Sequence, residues 1–368
     1  MSELARTPLY EAHIELGGRM VPFAGFEMPV QYKAGALQEY KVVREGGAGL
    51  FDISHMGQVR VTGPEALDFL QYVTTNDVSR LADGQVQYSA LLNDQGTFID
   101  DITTYRMGET EFYLCINAAN RHKDVAHLEA QAARFDVTVS DESDDTTLLA
   151  LQGETAQALL QPLADIDLES VGYYRFATAV ICSAQAIVSR TGYTGEDGFE
   201  LYLSNDAAGD VWNSLIGAGA QPIGLAARDM LRTEMGYALY GHEISDAVTP
   251  VEAKLMWITK LEKGDFIGRD AVAARKAEGG SRQLVALKLT GRGIPREHYG
   301  VLAGGERIGE VTSGMHSPLL GCGVALAYVP TAHATGSADG DELAVEIRGR
   351  AVACERVKTP FVRSRVRK

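Results

Sequence analysis

The segment Lys276-Ala277-Glu278-Gly279-Gly280-Ser281 divides the chain into two parts with different hydrophobic patterns. After this segment the helical period of apolar residues disappears, and short apolar runs alternate with Gly, Pro and Asp. These runs predict strands at residues 284–289, 306–311, 323–328, 343–347 and 351–357. Short strands with such punctuation are typical of a small β-barrel. We therefore predict a linker over residues 263–280 and a separate all-β domain over residues 281–368.

Residues 1–262 mix helices with strands. Alternation of apolar and polar residues predicts strands at 58–62, 99–106, 111–117 and 199–203. Pro64 begins a short amphipathic helix, and the Asn120 side chain is expected to cap a longer one. The chain as a whole is therefore predicted to be an α+β protein.

Residues 63–71 show a weak internal similarity to residues 153–161, with four identities in nine positions. Helix patterning alone can produce such a likeness, and so can duplication of a strand-helix unit. The sequence leaves both explanations open.

The composition limits the classes of partner and cofactor. The 368 residues carry a formal net charge of −15, which argues against a general affinity for nucleic acid or anionic membrane. Without a secretory signal or an apolar stretch long enough to span a bilayer, the protein is expected to be cytoplasmic. We expect no metal site, because the sequence has neither Cys-x-x-Cys spacing nor a His-x-x-x-His pair. P-loop, dinucleotide and nucleophile-elbow motifs are also missing from the sequence.

Polar residues inside apolar strands are the candidates for chemistry. Successive strand residues point to opposite faces, so we expect only one of Asp100 and Asp101 to point inward. If it is Asp101, Thr103 and Tyr105 share its face. Glu200 lies between Phe199 and Leu201 in a similar setting. Either carboxylate could instead have a structural role, Asp101 by accepting backbone hydrogen bonds and Glu200 on an exposed strand face.

Two arginines four residues apart, Arg228 and Arg232, lie on one face of a predicted helix. Because a guanidinium binds carboxylates in a bidentate manner, this face could hold the acidic tail of a substrate. Surface ion pairs with Asp229 or Glu234 are the alternative. From the residues alone, the sequence predicts a polar pocket and does not identify its ligand.

Taken together, these segments resemble the aminomethyltransferase family of the glycine cleavage system, the T-proteins, over nearly the whole chain. The motifs that carry the resemblance include Phe51-Asp52-Ile53-Ser54-His55-Met56-Gly57, Ile99-Asp100-Asp101, Asn117-Ala118-Ala119-Asn120, Ser189-Arg190-Thr191-Gly192-Tyr193-Thr194-Gly195-Glu196-Asp197-Gly198-Phe199-Glu200 and Gly224-Leu225-Ala226-Ala227-Arg228-Asp229.

The resemblance implies a three-domain cloverleaf, with two interwoven α/β folate-binding domains within residues 1–262 and a C-terminal β-barrel. It implies transfer of a one-carbon unit from the aminomethyl-lipoyl arm of an H-protein to tetrahydrofolate, the co-substrate. Ammonia and methylene-tetrahydrofolate are the expected products. The expected partner is the lipoylated H-protein, with no nucleic acid and no membrane.

The resemblance also implies roles for individual residues. Asp101 matches the family's catalytic aspartate, and Glu200 matches the carboxylate that binds the pterin edge. Cofactor-binding positions are further implied for Met56, Tyr88, Asn117, Tyr193, Arg228, Tyr237 and Trp257.

Two related functions remain as alternatives within the superfamily. One is a folate-dependent demethylase of a small methylated substrate, and the other is a folate-binding protein without catalysis. Residues 348–368 contain six Arg and two Lys against the single Glu355, a net charge of +7 on an otherwise acidic chain. Because lipoyl carrier proteins are typically acidic, we expect this tail, with Arg363, Arg365 and Arg367, to steer the H-protein.

Overall fold

The computed structural model describes residues 4–334 and 342–367. Its first elements are a short antiparallel hairpin with flanking helices, followed by a strand that enters a larger sheet. They are helix α1 (Tyr10–Glu15), strands β1 (Arg19–Phe23) and β2 (Phe26–Gln31), helix α2 (Ala36–Arg44) and strand β3 (Gly49–Asp52).

Two successive stretches of chain then form the same series of elements. The first consists of β4 (Gly57–Thr62), α3 (Ala66–Val73), β5 (Val86–Leu92), β6 (Phe98–Gly108), β7 (Glu111–Ile116), α4 (Arg121–Ala132) and β8 (Thr138–Asp141). The second consists of β9 (Thr146–Gln152), α5 (Ala156–Leu160), β10 (Phe176–Ile181), β11 (Ala184–Ser189), β12 (Gly198–Ser204), α6 (Ala208–Gly217) and β13 (Gln221–Pro222).

The two large sheets have the same strand order apart from one inserted strand. The first sheet has the order β5-β6-β7-β4-β8, and the second has the order β10-β11-β12-β9-β3-β13. Because β3 precedes the whole first sheet in the chain but lies in the second, the two lobes are interwoven, as expected. The similar segments 63–71 and 153–161 contain the corresponding turns into α3 and α5. Their equivalent positions in the two lobes favour duplication over helix patterning alone.

Each sheet packs against helices on one face and against the other sheet on its second face. Phe69 of α3 and Leu128 of α4 belong to the apolar core of the first lobe, and Trp212 of α6 belongs to that of the second. Between the sheets, the hydroxyls of Tyr105 and Tyr202 lie 2.8 Å apart. The inner faces of both sheets are therefore available to form a site between the lobes.

A closed six-stranded barrel follows the two lobes, as predicted. It is preceded by α7 (Leu225–Met235) and by α8 (Arg269–Glu278), a helix within the predicted linker. The barrel elements are β14 (Arg282–Leu289), β15 (Gly300–Ala303), β16 (Glu306–Ser317), β17 (Cys322–Pro330), α9 (Thr331–Ala334), β18 (Leu343–Ile347) and β19 (Arg350–Val357). The five predicted strands are present; β15, with four residues, is too short for its alternation to have been recognised.

A buried ion network connects the lobes with the barrel. Arg44 of α2 is 1% exposed and lies 2.7 Å from Glu196 and 3.1 Å from Glu234 of α7. Glu234 also accepts a hydrogen bond from Ser317 at the end of β16. Beyond the barrel, Arg365 donates from its guanidinium to the carbonyl oxygen of Arg44 at 2.6 Å. The C-terminal segment therefore packs back onto the lobes.

We predict that Gly153→Ala destabilises the protein. At this turn into α5 the φ angle is +131°, and a Cβ atom would lie 2.2 Å from the carbonyl oxygen of Gly47. The combined strain and clash should lower the free energy of unfolding by about 2 kcal/mol or more, measured by thermal or chemical denaturation. In the matched control Gly209→Ala, within α6, the new Cβ meets nothing within 4 Å. Equal stabilities of the two variants would contradict the prediction.

Candidate active site

A cavity of about 830 Å³ lies between the two lobes and the barrel. This volume is in the range of sites that bind drug-sized ligands. Its walls come from the inner faces of both sheets, from α7 and from the barrel strands β14, β17 and β19. The nine residues to which the family resemblance assigned a role all line it, namely Met56, Tyr88, Asp101, Asn117, Tyr193, Glu200, Arg228, Tyr237 and Trp257.

Asp101 on β6 is held by two hydrogen-bond donors. The Tyr88 hydroxyl donates to Oδ2 at 2.7 Å, and the Asn117 side-chain amide donates to Oδ1 at 2.8 Å. Thr103, two residues further along the strand, lines the same cavity, as the strand period predicts. The carboxylate of Asp101 therefore has a fixed position in the cavity wall.

The surroundings of Asp101 raise its pKa to about 7. Burial is the main cause, and the negative charge of the neighbouring Asp100 raises the pKa further. The hydrogen bonds from Tyr88 and Asn117 act in the opposite direction because they stabilise the ionised form. Asp101 can therefore exchange a proton near neutral pH.

The surroundings of Asp100 show that two predictions from the sequence are wrong, one about the direction of the two aspartates and one about the helix cap. It is 0% exposed, so both aspartates point into the protein, Asp100 on the face opposite the cavity. Its oxygens accept hydrogen bonds from the Asn117 backbone at 2.8 Å and from the Asn120 side chain at 2.5 Å. Asn120 does precede α4, but its side chain does not cap the helix. A buried carboxylate without hydrogen-bond donors costs more free energy than an uncapped helix end, because water can bond to the exposed N–H groups of the helix.

Glu200 on β12 faces the cavity, so the exposed-strand alternative is wrong. The Thr191 hydroxyl donates a hydrogen bond to it. Burial raises the pKa of Glu200, while Thr191 and the positive charge of Arg228 lower it. The Arg228 guanidinium lies 4.8 Å from the centre of the Tyr193 ring, which stacks on Tyr237 with centroids 5.7 Å apart. The cavity thus combines a carboxylate, a cation and flat aromatic surfaces.

Arg232, the second arginine on α7, does not reach the cavity. It is 1% exposed and forms ion pairs with Glu243 at 2.8 Å and Asp229 at 2.7 Å. The expectation that the two arginines share a ligand-binding face is therefore wrong for Arg232. Only Arg228 lines the cavity.

Several cavity residues were not predicted from the sequence. Tyr173 and Tyr174 line the cavity, and so does Thr191, the partner of Glu200. Thr191 lies within the run 189–200 that carries the family resemblance, which was the usable signal, but it is nine residues from Glu200 in the sequence. Tyr174 has a φ of +56°, a backbone feature that its sequence does not reveal.

Two features are absent from the parts of the chain that the structure describes. No group of three or more His, Cys, Asp or Glu side chains within residues 4–334 and 342–367 could hold a metal ion. In the same ranges, no helix has the length and apolar character that crossing a membrane requires.

Comparison with known proteins places the chain in a family. Residues 9–263 match the family model described as the GCVT N-terminal domain, and residues 282–363 match the glycine cleavage T-protein C-terminal barrel domain. The aminomethyltransferase of Symbiobacterium thermophilum is 49% identical, over 98% of each chain. An aminomethyltransferase of Thermus thermophilus is 48% identical, over 98% of this chain and 99% of its own.

A solved structure agrees with the sequence comparisons. The crystal structure of the glycine cleavage system aminomethyltransferase T from Bartonella henselae superposes with a TM-score of 0.93 at 37% sequence identity. The match covers 100% of both chains. The arrangement of lobes and barrel is therefore shared along the full length.

We predict that Tyr88→Phe raises the pKa of Asp101 above its value of about 7. The substitution removes a hydrogen bond that stabilises the ionised carboxylate and leaves the ring in place. Titration of ¹³C-labelled aspartate carboxyls by NMR, assigned with Asp101→Asn, measures the change. Tyr237→Phe is the matched control, since this tyrosine lines the same cavity and does not donate to Asp101. An unchanged or lower pKa in Tyr88→Phe would refute the prediction.

Proposed function

The chain belongs to the aminomethyltransferases of the glycine cleavage system, and we propose that its cavity binds tetrahydrofolate and admits the aminomethyl-lipoyl arm of an H-protein. The one-carbon unit passes to tetrahydrofolate, and ammonia leaves. The products are methylene-tetrahydrofolate and the reduced dihydrolipoyl arm. The observation that carries this proposal is Asp101, an acid with a pKa near neutrality, fixed by two donors in a cavity large enough for a folate.

The residues of the cavity fit a folate. A carboxylate can accept two parallel N–H bonds from an amino-pyrimidine edge, and we assign this role to Glu200. Tyr193 and Tyr237 offer flat surfaces to the rings. Arg228 supplies a positive charge close to Glu200. Met56, Asn117 and Trp257 complete the proposed set of binding residues.

Asp101 is the proposed catalytic residue. When bound, tetrahydrofolate supplies the amine nitrogens that receive the carbon. Ionised Asp101 orients the attacking amine and accepts its proton at a carboxylate oxygen as ammonia is released. Tyr88 and Asn117 hold both oxygens in place, so little reorganisation is needed when the proton moves.

The division into domains is also part of the proposal. We assign residues 1–262 to the folate-binding region, 263–280 to the linker and 281–368 to the barrel domain. The closed barrel, which begins with β14 at Arg282, supports the second boundary.

We predict that Asp101→Asn lowers kcat/KM by at least about 100-fold, because the amide cannot accept the proton. The assay mixes purified protein, tetrahydrofolate and aminomethylated H-protein, and measures ammonia. Asp68→Asn, an exposed aspartate on α3, is the matched control. Turnover within a few-fold of wild type would remove Asp101 from the mechanism. Activity of the wild type on a free methylated amine, with none on H-protein, would instead favour the demethylase alternative.

The positive charge of the C-terminal tail supports the proposal that the partner is acidic. The structure changes which residues of the tail we assign to this role. Arg365 lies 3.7 Å from Glu196, and Arg367 forms an ion pair with Glu169. These two charges are therefore partly neutralised within the protein. Arg363 is exposed, so we now assign the steering of H-protein chiefly to Arg363. Lys368, which also belongs to the basic tail, lies outside the described residues.

Accordingly, we predict that Arg363→Gln raises the KM for H-protein about threefold at low ionic strength. The difference should vanish at high salt, because exposed charges are then screened. Lys276→Gln, which removes an exposed charge from α8, is the control. A salt-independent effect, or equal effects of the two substitutions, would contradict steering by Arg363.

A further inference from the structure

Asp124 on α4 is a buried acid that the proposed reaction does not use. It is 0% exposed and does not line the cavity. Both of its carboxyl oxygens are buried, and neither accepts a hydrogen bond from any donor among the described residues. An ionised carboxylate in that position would have its charge uncompensated, which is strongly unfavourable.

Helix α4 packs against β6, and Asp124 lies close enough to Asp100 on that strand for the negative charge of Asp100 to act on it. Two carboxyl groups this close cannot both be ionised in a buried site, so a single proton must lie between them. Among the described residues, the charges that act most strongly on Asp124 are those of the acids Asp100 and Asp101 and of the cation Lys123, whose side chain is exposed. The surroundings therefore favour retention of the proton.

The hydrogen-bond donors decide which carboxyl holds the proton. Asp100 accepts from the Asn117 backbone at 2.8 Å, from the Asn117 side chain at 2.9 Å and from the Asn120 side chain at 2.5 Å. These donors stabilise its ionised form, whereas Asp124 has none of this kind among the described residues. Burial first, and then the charge of Asp100, raise the pKa of Asp124 to about 11.

We propose that Asp124 is a positioning residue whose protonated carboxyl donates a hydrogen bond to ionised Asp100, which in turn fixes Asn117 and, through it, Asp101. The link is the Asn117 side-chain amide, which lies 2.9 Å from Asp100 Oδ1 and 2.8 Å from Asp101 Oδ1. A single amide thus connects the buried acid pair to the cavity acid. The consequence for turnover rests on the proposed function, but the location of the proton does not.

In this arrangement Asp101 and Asp124 lose their protons in different pH ranges. Asp101 changes its charge near neutral pH, since its pKa is about 7. Asp124 keeps its proton throughout that range, so the donor that it offers to Asp100 persists while Asp101 titrates. The Asn117 amide therefore keeps its hydrogen bond to Asp100 in both protonation states of Asp101.

The location of the proton can be tested by infrared difference spectroscopy. The spectrum of Asp124→Asn is subtracted from that of the wild type at an alkaline pH where Asp101 is ionised. We expect the carbonyl band of a protonated carboxylic acid in the wild type and its loss in Asp124→Asn. Glu129→Gln, an exposed acid on the same helix, should retain the band. Persistence of the band in Asp124→Asn would overturn the proposal.

Turnover tests the positioning role. Asp124→Leu fills the space without a donor and should lower kcat about tenfold or more, with a smaller change in the KM for tetrahydrofolate. Asp124→Asn retains an N–H donor for Asp100 and should recover most of kcat. Equal losses in the two variants, or wild-type kcat in Asp124→Leu, would overturn the role.

The two tests also separate this inference from the proposed function. If Asp124→Leu fails to fold, the infrared comparison of wild type and Asp124→Asn still decides the location of the proton. A wild-type protein that shows the band but transfers no aminomethyl group would contradict the proposed function, and it would support the placement of the proton on Asp124.

Discussion

Burial of the Arg44 guanidinium is the constraint on which the walls of the cavity depend. A charge that is 1% exposed must be neutralised, and loss of one partner from a buried ion pair is strongly destabilising. Glu196 and Glu234 supply the two carboxylates. Glu196 lies four residues before Glu200, and Glu234 is on the same helix as Arg228. The network therefore fixes the two segments that bring opposite charges to the cavity.

The cavity exists because two lobes of similar topology face each other across their sheets. The first lobe contributes Asp101 from β6, and the second contributes Glu200 from β12. Neither lobe encloses the site alone, because the barrel strands and α7 close the remaining sides. The two lobes thus present related surfaces to the cavity, and the polar residues on these surfaces have different proposed roles, Asp101 toward the reacting amine and Glu200 toward the pterin.

Patterns of apolar residues predicted nine of the nineteen strands among the described residues, and alternation correctly separated Phe112 and Leu114 from Cys115 on β7. Alternation alone could not decide whether Asp101 has a structural role or lines the cavity. Strand β6 is covered on both faces, and the sequence pattern does not show which face borders a cavity. The roles came from family resemblance. The hydrogen bond between Asn120 and Asp100 was beyond reach, since its partners are 20 residues apart and local rules favour a helix cap.

The C-terminal segment has a consequence for the order of assembly during synthesis. The Arg365 guanidinium donates to the carbonyl oxygen of Arg44, which precedes it by 321 positions. The backbone N–H of Arg365 donates to the carbonyl oxygen of Gly195. Contacts so distant along the chain close late. The lobes can collapse as they emerge from the ribosome, but the segment that carries Glu196 gains Arg365 as a partner only after the barrel strands have been synthesised. The nascent chain therefore acquires a complete ion network only after the barrel has been made.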